Sequence, residues 1–330
     1  MKTTTLLALG ALTCSLAACG DDGTTAGVDA PAGPASIVAT AQATPSLSTL
    51  VAAVQFASDN NDLVDLLSNP GTLTVFAPTN AAFDALAVEL TGSAGATGAD
   101  LLTAANKPLL RSVLQYHVLT SEVGSSAIPF GLPITSAEGS IFKIDAGTPP
   151  VITDGRNRTA SITAVDIEAS NGVVHLIDKV ILPADKNVVE TAQAAAAGSP
   201  AEFTILVEAV VAADLATTLS GAGPFTVFAP TDAAFAALLT ELGVTKAQLL
   251  ANTALLTQVL TYHVVPGLVL KAAVPVGADI ATVETGTFTV GSDLRITDER
   301  GRTAQIVGTD TLAKNGVIHV IDKVILPAAP

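Results

Sequence analysis

The sequence runs to 330 residues, more than one ordinary core accommodates, so two domains is the natural expectation. Hydrophobic residues make up 49% and charged residues 14%, with no Trp and two Tyr; filled interiors are affordable, but platforms on which nucleic-acid bases could stack are nearly absent. A formal net charge of −15 and a pI near 4.4 would repel nucleic acid and anionic surfaces, and are compatible with a neutral or basic partner.

The chain opens MKTTTLLALGALTCSLAACG, with one basic residue, Lys2, and an apolar stretch from Leu6 to about Leu16. It is too short to span a bilayer and has the build of a secretory signal over residues 1–18. Its end, Leu16-Ala17-Ala18-Cys19-Gly20, resembles the lipobox of bacterial lipoproteins, in which the cysteine is lipidated and becomes the first mature residue. The alternative is an ordinary signal peptidase site with Cys19 incidental. The only other cysteine is Cys14, so a folded body further along has neither thiol chemistry nor disulfides nor cysteine-held zinc. Residues 20–35, small, polar and Gly/Pro-bearing, read as a flexible tether spanning roughly 20–25 Å on average.

Beyond the tether the chain repeats itself. IVATAQA (37–43) returns as VVETAQA (188–194), TVFAPTNAAF (74–83) as TVFAPTDAAF (226–235), LLRSVLQYHV (109–118) as LLTQVLTYHV (255–264), and NGVVHLIDKVILP (171–183) as NGVIHVIDKVILP (315–327). Copy one covers about 36–183 and copy two about 187–327, with three residues between them. In each copy a helical spacing comes first: Leu47, Leu50, Val51 and Val54, or Leu206, Val210 and Val211. A short strand follows at Leu73–Phe76 or Phe225–Phe228, which Ala-Pro-Thr breaks, and Thr79 or Thr231 then caps a helix. That helix points Phe83, Leu86 and Leu90 one way, or Phe235, Leu238, Leu239 and Leu242. The next helix ends at Tyr116-His117 or Tyr262-His263. The last third is β-rich, at 141–144, 160–168 and 173–182 in copy one, with DGRNR (154–158) or DERGR (298–302) as a polar turn. Helices first and strands afterwards predict an α+β fold.

TVFAPTNAAF, the Tyr-His pair and NGVVHLIDKVILP, in that order and twice over, resemble the signature blocks of the fasciclin domain. The resemblance implies two tandem domains, each a wedge of β-strands with helices packed on it, and a non-enzymatic role in adhesion at cell surfaces and matrix. In animal members integrin recognition is linked to residues around the Tyr-His pair and to an Asp-Ile pair just before the second block. The matching positions are Tyr116, His117, Tyr262 and His263, and Asp166-Ile167 in copy one. Copy two departs, with Asp310-Thr311. Bacteria lack integrins, so what carries over is a surface location and not a partner.

The residues themselves support a structural reading first. All four histidines sit at matched sites, His117 with His263 and His175 with His319. His175 and Asp178 are three apart, so a regular strand points them to opposite faces and they cannot share a metal. His117 ends the apolar stripe Leu110, Val113, Leu114, where a histidine serves as a core or cap residue and suits the helix dipole. With no nearby acidic cluster, no metal and no cofactor is expected. Asp178 and Asp322 are expected to hold a turn or a backbone amide. Asn171-Gly172 and Asn315-Gly316 tolerate positive φ and give a tight entry into a central buried strand. Arg156, Arg158, Arg300 and Arg302 are either solvated turn residues or a contact for an acidic glycan or carboxylate.

No G-x-S-x-G elbow, Walker loop, H-E-x-x-H or Rossmann fingerprint occurs. The expectation is a lipid-anchored protein on the bacterial outer membrane or cell surface, non-enzymatic, adhering to a protein or glycan on a cell or matrix. The alternative is a periplasmic or other extracytoplasmic module binding a small apolar or saccharide ligand.

Overall fold

A computed structural model describes residues 33–329. The signal segment, Cys19 and nearly all of the tether lie outside the described residues. Each copy folds as a curled sheet of seven strands with helices packed on one side.

Domain 1 begins with three short helices, α1 (Ile37–Ala43), α2 (Ser48–Ala57) and α3 (Asp62–Ser68). Strand β1 (Leu73–Pro78) leads into α4 (Asn80–Thr91), and α5 (Lys107–Tyr116) leads into β2 (Val118–Leu119). A meander of β3 (Pro133–Thr135), β4 (Ile141–Asp145), β5 (Val151–Thr153), β6 (Thr159–Ala169) and β7 (Gly172–Ile177) completes it. The strand order is β2-β1-β7-β6-β5-β4-β3, with β1 and β7 parallel and every other neighbouring pair antiparallel.

Domain 2 repeats this with α6 (Val188–Ala196), α7 (Thr204–Ala212), α8 (Ala216–Ser220), β8 (Phe225–Pro230), α9 (Asp232–Leu242), α10 (Lys246–Ala251) and α11 (Thr253–Tyr262). Its strands continue with β9 (Val264–Pro266), β10 (Asp279–Ala281), β11 (Thr287–Val290), β12 (Arg295–Thr297), β13 (Thr303–Ala313) and β14 (Gly316–Ile321). They follow the same spatial order.

The repeated NGVVHLI segment is the central strand. On one face of β7, Val174 joins Leu50, Val54, Phe83, Leu110 and Leu114 of the helices in one core. On the other, Ile177 joins Phe76, Tyr116, Phe142, Ile144 and Ile152, a second core that the curled sheet encloses on itself. A strand buried on both faces carries near-continuous apolar residues rather than clean alternation, which is what Gly172–Ile177 does. Ile318 and Ile321 occupy the same places in domain 2 and are equally buried.

Several local expectations need correction. Strand β1 does not break before Ala77-Pro78: both residues stay in register against Leu176 and Ile177. Pro78 ends the strand, and the next donor, the Thr79 amide, bonds the Ile177 carbonyl at 3.3 Å. Leu90 is 45% exposed, Leu242 43% and Val211 60%. The first two lie in the last turns of α4 and α9. The helix caps follow the sequence closely, with Thr79 Oγ1 accepting from the Ala82 amide and Thr231 Oγ1 from Ala234.

Candidate binding surface

The Tyr-His pairs are interior, not surface. Tyr116 and Tyr262 are fully buried, and His117 and His263 nearly so. Helix α5 closes at His117, whose Nδ1 lies 2.7 Å from the Val113 carbonyl and whose Nε2 accepts from the Ile181 amide at 3.1 Å. The ring is therefore a neutral Nδ1–H tautomer that staples the helix end to the segment after β7. His263 does the same with Val259 and Ile325. Burial pushes both imidazoles down to about 4, because the charged form has no water around it.

Tyr116 Oη donates to the Ile141 carbonyl at 2.6 Å and accepts from the Gly155 amide at 2.9 Å; Tyr262 bridges Thr287 and Glu299 in the same way. Burial raises the pKa of both phenols. The second histidine pair is also internal. His175 Nε2 lies 2.9 Å from the Val123 carbonyl and Nδ1 accepts from the Asp166 amide at 3.2 Å. His319 repeats this with Val269 and Asp310, and burial lowers its pKa.

The arginines of the polar turns are tied back onto the fold. Arg158 reaches Asp154 through Nε, Glu89 through Nη1 and the Val180 carbonyl through Nη2, at 2.7–3.1 Å. Arg302 meets Glu241 and the Val324 carbonyl. Arg156 pairs with Asp185, and Arg300 Nε donates to the Pro327 carbonyl at 2.8 Å. The organising residue of this turn, absent from the sequence reading, is its first aspartate. Asp154 is 1% exposed and accepts from the amides of Arg156, Arg158 and Leu182. Asp298 accepts from Arg300, Arg302 and Leu326.

Asp178 Oδ1 accepts from the Ser161 amide and Asp322 Oδ1 from Gln305, both at 2.7 Å. Asn171 acts through its side chain rather than through positive φ. Its Oδ1 accepts from the Ile37 amide at the start of α1, and its Nδ2 donates to the carbonyls of Leu67 and Asn69 at the end of α3. Asn315 makes the matching three bonds to Val188, Leu219 and Gly221. Gly172 does carry the positive φ, +145°, and a Cβ there would lie 2.0 Å from the Leu73 oxygen.

The aspartates ahead of these blocks differ between the copies. Both occupy left-handed positions in a bulge of the long strand, Asp166 at φ 56° in β6 and Asp310 at φ 61° in β13. Asp166 is exposed and caps the turn at Ser125, accepting from its amide at 2.8 Å and from its hydroxyl; these bonds lower its pKa. Asp310 accepts from the Lys271 amide at 2.7 Å, but it is buried by the other domain. Lys143 of β4 reaches Asp310 Oδ2 at 3.1 Å, with side chains only 12% and 4% exposed. Alongside, Asn157 bonds both backbone groups of Leu312, and Ile141 and Leu268 pack on a cluster of Leu270, Leu312 and Val317. Asp310 is therefore part of the domain–domain contact and not an outward binding residue.

Among the described residues no group of three His, Cys, Asp or Glu is placed to hold a metal, and no single helix is long and apolar enough to cross a membrane.

The chain is 32% identical over 262 residues to transforming growth factor-beta-induced protein ig-h3 of Oryctolagus cuniculus, covering 79% of this chain and 35% of that protein. It thus spans about a third of the length of that protein and of its Sus scrofa counterpart. It is 35% identical over 162 residues to the cell surface glycolipoprotein MPB83 of Mycobacterium bovis, covering 46% of this chain and 66% of that one. Among solved structures, a FAS1 domain pair from the insect cell adhesion molecule fasciclin I aligns with 85% of this chain and 97% of its own, at 17% identity and a TM-score of 0.41. The fasciclin domain model matches residues 45–183 and again 201–327, and the chain belongs to the fasciclin domain family as a tandem pair.

Proposed function

We propose that this chain is a non-enzymatic surface protein, held to a bacterial membrane through lipidated Cys19, that attaches its cell to a protein or glycan on another cell or on matrix. We place the contact on domain 1, around Asp166 and Ile167. The observation that carries this reading is the unequal fate of the two matched aspartates: Asp166 stands exposed on its bulge, and Asp310 is enclosed by the neighbouring domain. Bulges re-aim side chains at functional edges. The carboxylate is held in place by Ser125, so it meets a partner without first losing freedom. The neighbouring Glu122 and Glu168 are exposed too, which favours a neutral or basic partner surface.

A relative described as a cell surface glycolipoprotein supports the anchored, outward-facing placement. The involvement of all four histidines and both tyrosines in backbone bonds leaves them no free catalytic arrangement.

Attachment of cells carrying the unmodified chain, the Asp166→Ala/Ile167→Ala variant, or no chain tests the proposal. Attachment should fall with the variant to the level of cells without the chain. Equal attachment in all three, across several protein and polysaccharide surfaces, would sink the adhesive reading. Protease treatment of intact cells beside a Cys19→Ala variant tests the anchor: the domains should be shaved from whole cells, and the variant should leave the membrane fraction.

A further inference from the structure

Each domain contains an apolar cavity in the same place, between its first helices and the central strand. In domain 1 it measures about 60 Å³ and is lined by Ile37, Ala41, Leu50, Val54, Leu114 and Val174. In domain 2 it measures about 40 Å³, and the matched residues Val188, Ala192, Leu206, Val210, Leu260 and Ile318 line it. Interiors are normally packed with few voids larger than a water molecule, and an unfilled void costs stability. These two persist although the copies differ in loop lengths and have exchanged surface residues freely.

The polar groups bordering the cavities narrow the choice of guest. His117 and His263 border them, but both ring nitrogens of each are already bonded to backbone. The other polar residues of the lining, Gln42, Gln55 and Gln115 in domain 1 and Gln193 in domain 2, are exposed or half-buried, so no buried polar group is left to receive a polar guest inside, and an apolar interior of this kind stays dry and accepts apolar guests. At the rim stands a matched exposed glutamine, Gln42 in domain 1 and Gln193 in domain 2. Its amide both donates and accepts, which suits a hydroxyl. The net charge of −15 disfavours an anionic head group. The small volumes leave room for one slender chain end and not for a ring or a two-chain lipid.

We propose that each domain binds the end of a single unbranched alkyl chain carrying an uncharged, hydroxyl-bearing head, with Gln42 or Gln193 meeting the head at the rim. This site is on the helical side of the domain and does not depend on the adhesive reading.

Calorimetric titration of the full chain with 1-decanol tests it, using the Cys19→Ala form so that no acyl group of its own competes. Two saturable sites per chain are expected. Ala41→Leu should remove one, Ala192→Leu the other, and the double variant both. 1,10-Decanediol, which cannot bury a polar far end, should bind at least tenfold more weakly. Hydrogen exchange of the same Cys19→Ala form gives an answer that needs no cavity variant, since decanol should slow amide exchange in α1 and α6. Absence of saturable binding, undiminished stoichiometry in a folded double variant, or unchanged exchange in both helices would overturn the proposal.

Discussion

Domains 1 and 2 share almost every interior device and differ most where one meets the other. The histidine staples, the tyrosine bridges, the asparagine clamps and the aspartate at the head of each polar turn are present twice with closely matching bond lengths. On the face around the bulge the copies part. Where domain 2 has Leu268, Leu270 and Leu312, domain 1 has Glu122, Gly124 and Glu168. The leucines cluster with Ile141 of domain 1; the glutamates stay in water. The same backbone surface serves as an internal joint in one copy and an open face in the other. Three side chains decide which, because apolar area is stabilised by burial and charge is penalised by it.

The largest test of the shared interior is Gly172→Ala beside Gly316→Ala. A Cβ at either position would sit 2.0 Å from a carbonyl oxygen of the adjacent strand, so each should cost about 3 kcal/mol or more in chemical denaturation. Unequal losses would show that the two central strands are not equivalent.

Lys143→Ala attacks the difference instead. It leaves the Asp310 carboxylate buried without its cation, and about 3 kcal/mol of domain 2 stability should go with it. Asp166→Ala should cost only about 1–2 kcal/mol, for the lost cap on Ser125 and the left-handed backbone position.

Acidification probes both domains at once. His117 and His263 sit at about 4 when folded, against about 6.5 unfolded. The unfolded chain therefore binds more protons between those values. The stabilisation is complete above about pH 6.5 and falls away towards pH 4, by up to about 3 kcal/mol per domain. His117→Gln should flatten that dependence in domain 1 alone, read from denaturation midpoints between pH 4 and 7.

Smaller still, Asn171→Ala should cost about 2 kcal/mol by freeing the ends of α1 and α3. Asn315→Ala should cost less, its environment being more open. Val211→Ala, at a position 60% exposed, should stay within about 0.5 kcal/mol.

The repeat, the fold class and the threonine caps were legible in the sequence because they are local or recur at fixed intervals. Helix α5 was legible from its stripe, and its end at His117 from the break in that stripe. Asn171 was harder, since its partners lie 104 and 134 residues away, and a tight turn explains Asn-Gly equally well. Asp154 was hidden among turn residues, where an aspartate is ordinary. The joint between the domains left a trace that a position-by-position comparison of the copies reveals: polar or flexible residues at 122, 124 and 168 against leucine at 268, 270 and 312. The Tyr-His pairs point the other way. The family resemblance put a contact surface there, but all four residues are buried and serve the interior.

The joint is also directional. A head-to-tail contact that every unit can repeat grows into an open filament. Here the unit that receives cannot give: where domain 1 offers Ile141, Lys143 and Asn157, domain 2 has Thr287, Thr289 and Gly301. Nor can the unit that gives receive, with glutamates at two of the three leucine positions. At this joint, then, giver and receiver are not interchangeable, and the contact runs one way from domain 1 to domain 2.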